Sequence, residues 1–251
     1  MNQIMKRFFI SVLLLSVYST IYAQTVVNKY NQAFWNGNAK AYEDKAYEAC
    51  VSINEDKVQS IVIQIHSGDK NVKLATVMLK YISDRDNLIK SLKSIRNKFR
   101  YWISTAETNK VRDFSKKLTD IYDMPQMTVA AILDDGKSYI NEQFFLKPYF
   151  CVDKEGRINL VMAGDINLYR YTPSKYNAAD VIKDFSLMTL FASAIPTKEY
   201  LRFHNLGFSF SSVEQLQSLI DALDNNKNIN EMIQKNAKEK MRKDSIDKLF
   251  R

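Results

Sequence analysis

The stretch 58-VQSIVIQIHSGDKNVKLATVMLKYISDRDNLIKSLKSIRNKFRYWI-103 decides the fold class. Its first part alternates, with isoleucine at positions 61, 63 and 65, which is the period of a strand buried on one face. Gly68-Asp69-Lys70 is a turn signal, and Val72 to Ile82 has the composition of a returning strand. The stretch therefore begins with a predicted antiparallel β-hairpin.

The second part of the same stretch predicts a helix. Ser83-Asp84-Arg85-Asp86 has the pattern of a capping box in which Asp replaces the usual Glu. The apolar residues behind it recur with the 3.6-residue period of an amphipathic helix; they are Leu88, Leu92, Ile95, Phe99 and Ile103. A hairpin followed by such a helix favours an α+β fold, in which an antiparallel sheet packs against amphipathic helices.

The segments on either side extend this pattern. Asn38 to Ile53 has helical spacing, and 109–121 predicts a further helix that Pro125 prevents from continuing. Strands are predicted at Thr128–Leu133, Tyr139–Val152, Arg157–Leu168 and Leu201–Phe210, with a loop at Tyr169–Tyr176. The segment 178–194 fits either a buried helix or a strand. Ser211-Ser212-Val213-Glu214 is a capping box for a last amphipathic helix.

We divide the chain into four parts. Residues 1–23 form a signal peptide, 24–125 a helix, a β-hairpin and basic amphipathic helices, and 126–230 an antiparallel meander and a C-terminal helix. The second and third parts are either two domains or one. Residues 231–251 form a basic tail without a single apolar stripe, for which we expect a loosely docked helix.

An internal echo connects the two middle parts. A strand followed by Ser-x-x-acid-amide-Leu and a helix occurs at 83–88 and again at 211–216. Duplication of a sheet-plus-helix half would produce this echo. The independent recurrence of a capping rule would produce it as well.

The N-terminus has the three zones of an export signal. Lys6 and Arg7 are followed by an apolar stretch and then by Ala23 before the cleavage point. We expect a periplasmic or secreted protein, with a retained N-terminal anchor as the alternative. No cysteine lies near the cleavage point, so we expect no lipoprotein, and the mature chain offers no further candidate transmembrane segment.

The charge of the chain bears on its partners. The formal net charge is +8, of which Lys6 and Arg7 contribute two. A basic intracellular protein would indicate nucleic acid as a partner, but export argues against it. We expect an anionic glycan or another envelope protein instead, or a charge that serves solubility only.

Cys50 and Cys151 are the only cysteines. Export would let a disulfide persist, and closing a loop of about 100 residues would stabilise the fold by about 4–5 kcal/mol. Two unrelated buried thiols are the alternative, since free cysteine is among the most buried residue types.

The sequence contains no combination of side chains that is typical of a particular catalytic reaction. The two histidines, His66 and His204, lie in predicted strands without further ligands at metal-binding spacing. Motifs for a nucleophilic serine, a phosphate-binding loop or a calcium loop are also missing. We expect neither a metal nor a cofactor, and the sequence leaves open whether the protein is an enzyme.

Two surfaces are candidates for binding. The first is the basic face of the helix after the hairpin, with Lys90, Lys93, Arg96 and Arg100, where an acidic polymer could lie. The second is the predicted tyrosine loop, with Tyr169, Tyr171 and Tyr176, whose rings could stack on a sugar. A solvated helix face and aromatic packing at a sheet margin are the respective alternatives.

The leading functional hypothesis is a non-catalytic exported protein that binds a ligand or partner at the cell envelope. One alternative is an exported hydrolase, which would need a cleft with close carboxyl groups of raised pKa. The other is a structural or assembly protein that pairs through an exposed strand edge.

Overall fold

A computed structural model describes residues 25–36, 39–54, 57–79, 83–119, 124–172 and 197–249. The predicted signal peptide, the segment 178–194 and Tyr176 lie outside these residues. The elements in chain order are β1 (Thr25–Asn36), β2 (Ala41–Asn54), β3 (Lys57–Gln64), β4 (Val72–Leu79), α1 (Asp84–Thr108), β5 (Phe114–Lys117), β6 (Met127–Leu133), β7 (Ser138–Phe144), β8 (Tyr149–Val152), β9 (Ile158–Thr172), β10 (Thr197–Phe210), α2 (Val213–Leu223) and α3 (Asn226–Leu249).

The strands form one antiparallel sheet in the order β1-β2-β3-β4-β6-β7-β9-β8-β5, with β10 paired to β9. The fold is α+β, as expected, although sheet predominates. The predicted hairpin is confirmed as β3–β4, in which Ile63 faces Val77. Strand β4 pairs with β6, so the ranges 24–125 and 126–230 contribute to the same sheet.

Six strands of this sheet close into a ring. Strands β3, β4, β6, β7, β9 and β10 are neighbours in that order. His66, just after β3, exchanges two backbone hydrogen bonds of 3.0 Å with Gly207 of β10. The Gly68 amide also donates to the His204 carbonyl at 2.8 Å. These bonds join the last strand of the ring to the first.

A β-bulge in β10 lies beside this junction. Phe203 faces Ile166 and Leu206 faces Gly164, so two residues of β10 oppose one of β9. Asn205, inside the bulge, has a positive φ of 48°. Such a bulge bends a strand and increases its twist.

Gly207 is required where it stands. Its φ is 145°, and a Cβ there would lie 2.3 Å from the Met162 carbonyl oxygen. The close approach of β10 to β9 at this point therefore depends on a residue without a side chain.

The helix predicted at 38–53 is wrong, because Ala41–Asn54 form strand β2. It pairs with β1 on one edge and β3 on the other, and its buried residues Tyr47, Ala49 and Val51 alternate as in a strand. Strand partners on both edges outweigh the local helical spacing. The polar and aromatic stretch before it, for which we predict no element, forms β1.

The helix predicted at 109–121 is also wrong. Helix α1 ends at Thr108, and the chain then turns through Lys110 and Asp113, whose φ values are 50° and 48°. Residues Phe114–Lys117 form the edge strand β5, paired with β8.

The apolar stripe of α1 is confirmed. Leu88, Leu92, Ile95 and Phe99 are buried, and Ile103 packs against the core. The capping box at Ser83 is wrong, because this residue has helical dihedral angles and its side chain makes no capping hydrogen bond.

The capping box of α2 is present but shifted by one residue. The N-cap is Ser212, whose Oγ accepts from the Gln215 amide at 3.2 Å. The Gln215 side chain returns to the Ser211 amide at 2.7 Å. The helix then covers the outer edge of β1, where the Asn31 amide donates to Ser218 Oγ at 3.0 Å.

Helix α3 takes in most of the basic tail. Ile229 near its start is buried, whereas the positions from 241 to 246 are exposed. Within the described residues, no helix combines the length and apolar composition that a membrane crossing requires.

Candidate functional site

Two basic residues of α1 contact α2 or the residue that follows it. Lys93 forms an ion pair of 2.8 Å with Asp224, just after α2, and Arg96 donates to Gln217 of α2. These two cations join the helices to each other. Lys90 and Lys93 also line an open groove of about 620 Å³, together with Asp86 and Asp224. Two acids therefore balance the two lysines, and Arg96 and Arg100 lie outside the groove lining.

The loop predicted at Tyr169–Tyr176 is wrong in its first part, because Tyr169 and Tyr171 both lie in strand β9, which ends at Thr172; residues 173–176 lie outside the described residues. Tyr169 faces Tyr200 of β10, with ring centroids 6.0 Å apart. Lys198 Nζ lies 4.0 Å from the centre of the Tyr169 ring. Tyr200 could not be predicted as the partner, because the pairing depends on the register of β9 with β10.

Cys50 and Cys151 are both free thiols in the structure, so the disulfide, one of two alternatives from the sequence, is not formed. Cys151 is among the groups that act on the pKa of Tyr42, which burial raises. Tyr42 lies eight residues before Cys50 on strand β2, a separation of roughly 27 Å in a strand. A disulfide joins Cα atoms about 4.4–6.8 Å apart.

A cavity of about 360 Å³ lies between β9 and the segment that joins β7 to β8; we call it the strand-gap cleft. Ile140 of β7 faces Tyr169 of β9, and Tyr149 of β8 faces Val161. An unbroken register from the first pair would place Pro148 opposite Val161. Strands β7 and β8 thus pair with β9 one after the other along the same edge. The segment between them contains one residue more than an unbroken register would need.

The sequence explains why β9 and the segment that joins β7 to β8 are separated. Pro148 has no backbone N–H and cannot donate to a sheet ladder. The bulge at Asn205 bends the pair β9–β10 on the opposite side. The Asn141 side chain donates to the Asn167 carbonyl at 3.3 Å, so a side chain replaces a strand partner at one end of the cleft.

The lining of the cleft combines aromatic and polar side chains. The aromatic residues are Phe144, Phe145 and Tyr149, and the polar ones are Gln143, Lys147 and Asp165. Phe145 is 49% exposed and Tyr149 38%, so part of each ring is accessible to a ligand. Such a mixture is typical of ligand sites, in which apolar surface supplies affinity and a few polar groups fix orientation.

Gly164 keeps the cleft open. A Cβ at this position would meet no atom within 4 Å, and the backbone does not need the positive φ that favours glycine. Gly164 also faces Leu206 at the edge of the β10 bulge. A glycine inside a strand typically marks either such a bulge or a place where a ligand approaches the backbone closely.

Asp165 is the acidic residue of the cleft. The backbone amide of Asn205 and the guanidinium of Arg202 hold the pKa of its carboxyl below the usual value. The Arg202–Asp165 ion pair measures 2.9 Å. Asp165 is therefore an ionised hydrogen-bond acceptor at neutral pH.

A second cavity, of about 220 Å³, lies where β2 separates from β3; we call it the His66 recess. The Tyr47 hydroxyl is 3.2 Å from His66 Nδ1. Burial raises the pKa of Tyr47 to about 12, and burial together with nearby Lys45 lowers the pKa of His66. At neutral pH the recess thus holds a protonated phenol beside a neutral imidazole.

Sequence reasoning missed both cavities. Each forms where two paired segments part, and such a point depends on the register of strands that are distant in sequence. Gly164 and the Lys147-Pro148 pair were the available local signals for the cleft, since both are unusual inside strands. For the recess, the sequence around His66 did not indicate that Lys45 and Lys73 would line the same cavity.

Among the described residues, no group of three or more His, Cys, Asp or Glu side chains is placed to hold a metal ion. Comparison with known proteins finds no matching family model, curated protein or solved structure. The cavities themselves are therefore the basis for a functional hypothesis.

Proposed function

We propose that the protein is an exported, non-catalytic binding protein of the cell envelope, whose ligand occupies the strand-gap cleft. The observation that carries this proposal is the cavity of about 360 Å³ itself, whose lining combines aromatic and polar side chains and in which a Cβ at Gly164 would meet no atom within 4 Å. Export itself rests on the signal-like N-terminus.

An anionic saccharide fits the cleft best. A sugar ring has apolar C–H faces that pack on aromatic rings, and hydroxyl groups that bond to Gln143 and the ionised Asp165. Lys147 can pair with a carboxylate on the sugar. A flat protein partner would find less complementarity in a cavity of about 360 Å³. Of the two partners expected from the sequence, the glycan is thus favoured over another envelope protein.

The hydrolase and assembly alternatives have less support. In the described part of the chain, the carboxyl groups whose pKa departs from its usual value are all shifted downward, whereas a general acid needs an upward shift. The edge strand β5 contains Lys116 and Lys117, and edge lysines typically prevent strand-to-strand association.

The test is the Gly164→Leu variant, titrated with a glucuronate-containing disaccharide and with neutral cellobiose in a calorimeter. A Cβ at position 164 meets no atom within 4 Å, so the leucine can project into the cleft, and we expect at least a tenfold loss of affinity for the uronate ligand. Ala41→Leu is the control, because it introduces the same leucine side chain at an exposed strand position outside the cleft. Its affinity should equal that of the wild type.

Lys147→Gln refines the same experiment. It should weaken binding of the uronate disaccharide more than binding of cellobiose, because only the former has a carboxylate for Lys147. Absence of binding by the wild type, or equal binding by wild type and Gly164→Leu, would refute the proposal. Cleavage of either disaccharide, detected by mass spectrometry, would establish the hydrolase instead.

We also propose, on separate grounds, that the chain contains two similar halves. Support comes from two hairpin-and-helix units: β3–β4 leads into α1, and β9–β10 leads into α2. The two helices pack on each other, and the two hairpins meet at the His66–Gly207 bridge.

A further inference from the structure

The His66 recess is produced by a change of strand partners. The ladder between β2 and β3 ends at Ala49–Ile63. Beyond it, Ile65 bonds to Ala75 of β4 at 2.9 Å, and His66 bonds to Gly207 of β10. Strand β2 continues alone on one side, and the recess opens between it and the end of β3.

The charges that line the recess are of one sign. Lys45 comes from β2 and Lys73 from β4, and no Asp or Glu belongs to the lining. The two acidic residues of β2 that flank the lining bond to glutamines through their carboxylates: Asp44 accepts from Gln215, and Glu48 accepts from Gln64 Nε2 at 3.5 Å. A cavity with two ammonium groups and no carboxylate attracts anions.

The lysine from β2 is held in place. Lys45 Nζ lies 5.5 Å from the ring centre of Phe34 and 5.6 Å from that of Tyr47. The ammonium group is attracted by both ring faces, and the Phe34 ring also packs edge-on against His66 at 5.7 Å. This positions the charge before any ligand arrives, which lowers the entropic penalty of binding.

The neutral donors of the recess complete the site. When the protonated Tyr47 hydroxyl donates to His66 Nδ1, the imidazole carries its hydrogen on Nε2 and offers it to a ligand. Ser67 adds a hydroxyl to the lining. Two ammonium groups, an imidazole N–H and a hydroxyl are the donors that surround a tetrahedral oxyanion.

We propose that the His66 recess binds a tetrahedral oxyanion, phosphate or sulfate, either as the free ion or as an ester on a larger molecule. The volume of about 220 Å³ accommodates such an ion with part of a substituent. This site is independent of the strand-gap cleft and does not rest on the function proposed for it.

Inorganic phosphate, titrated calorimetrically at constant ionic strength, tests the proposal. We expect saturable binding by the wild type, and at least a tenfold loss of affinity in Lys45→Gln and in Lys73→Gln. Lys154→Gln removes the same charge from an exposed turn outside the recess, so it should bind phosphate as the wild type does. Circular dichroism of each variant verifies that it is folded.

The other outcomes distinguish the alternatives. If glucose 6-phosphate binds at least as tightly as phosphate, the site takes esters, and if it fails to bind while phosphate binds, the site takes the free ion. An unsaturable response, or an equal loss in Lys154→Gln, would show diffuse charge attraction and overturn the proposal. Gly164→Leu should keep its phosphate affinity, so failure at the cleft and failure at the recess are separable.

Discussion

His66 lies where β2, β3 and β10 meet, and its surroundings disfavour the imidazolium form. Burial is the main reason that its pKa is lowered, and Lys45 adds to the effect. An unfolded chain has no such constraint, and its histidine titrates near pH 6.5. The unfolded state therefore binds more protons than the native state between the lowered pKa and pH 6.5.

This difference predicts a loss of stability on mild acidification. The free energy of unfolding should fall as the pH drops through 6.5 towards the lowered pKa of His66, because stability rises with pH wherever the unfolded state binds more protons. His66→Gln cannot titrate, so its unfolding free energy should vary less with pH over the same window. Urea unfolding at pH 7.0, 6.0 and 5.5 measures the free energy of unfolding of the wild type and of His66→Gln. An equal change with pH in the two proteins would contradict the role assigned to His66.

Single residues show how far the sequence alone could lead. Lys93 and Arg96 were recognisable as basic positions of a helix face, but their partners Asp224 and Gln217 are more than 120 residues away. No local pattern contains that information. Gly164 was visible as an isolated glycine, yet its open surroundings appear only when the strands around it are placed.

At the scale of elements, β2 is the clearest example of tertiary structure outweighing a local pattern. Its residues have helical spacing, and this spacing led to the helix prediction although Asn36-Gly37 before it is a strong hairpin turn signal. The β3–β4 hairpin and α1 were predicted correctly, because each has a strong period of its own and, for the hairpin, a local turn. A strand that is stabilised mainly by its neighbouring strands, and not by its own sequence pattern, is harder to predict.

Gln32 connects three elements and predicts a measurable effect. It is completely buried, accepts from the Ser209 amide of β10 at 3.1 Å, and donates to the Tyr30 hydroxyl at 2.8 Å. That hydroxyl in turn donates to the Gln64 carbonyl at the end of β3.

Gln32→Met keeps the length of the side chain but removes the amide. The Ser209 amide would lose its acceptor and Tyr30 its donor, so we expect destabilisation by about 1–3 kcal/mol. Chemical denaturation measures the loss, with Gln234→Met on the exposed face of α3 as the control. A change of less than half a kcal/mol, roughly the size seen at ordinary surface positions, would show that the network contributes little.

At the scale of the whole molecule, the two cysteines occupy distant parts of the sheet, and this predicts their chemistry. Thiol titration in denaturant should find two free thiols, and the intact mass should lack the loss of two hydrogens that a disulfide produces. In the native protein at pH 8, Cys50 should react slowly with iodoacetamide, because burial and, to a smaller extent, Glu48 raise its pKa to about 11. The wild type and Cys50→Ser should also run with identical mobility on a non-reducing gel, as expected for a protein without a disulfide.

The closure of the strand ring determines when folding can finish. The bridge between His66 and Gly207 joins positions 141 residues apart, and β10 is the last of the strands that the structure describes. Until that strand is synthesised, β9 has only β7 and β8 as partners, and His66 after β3 lacks its bridge to Gly207. A nascent chain of this protein thus cannot close the strand ring before β10 has been synthesised.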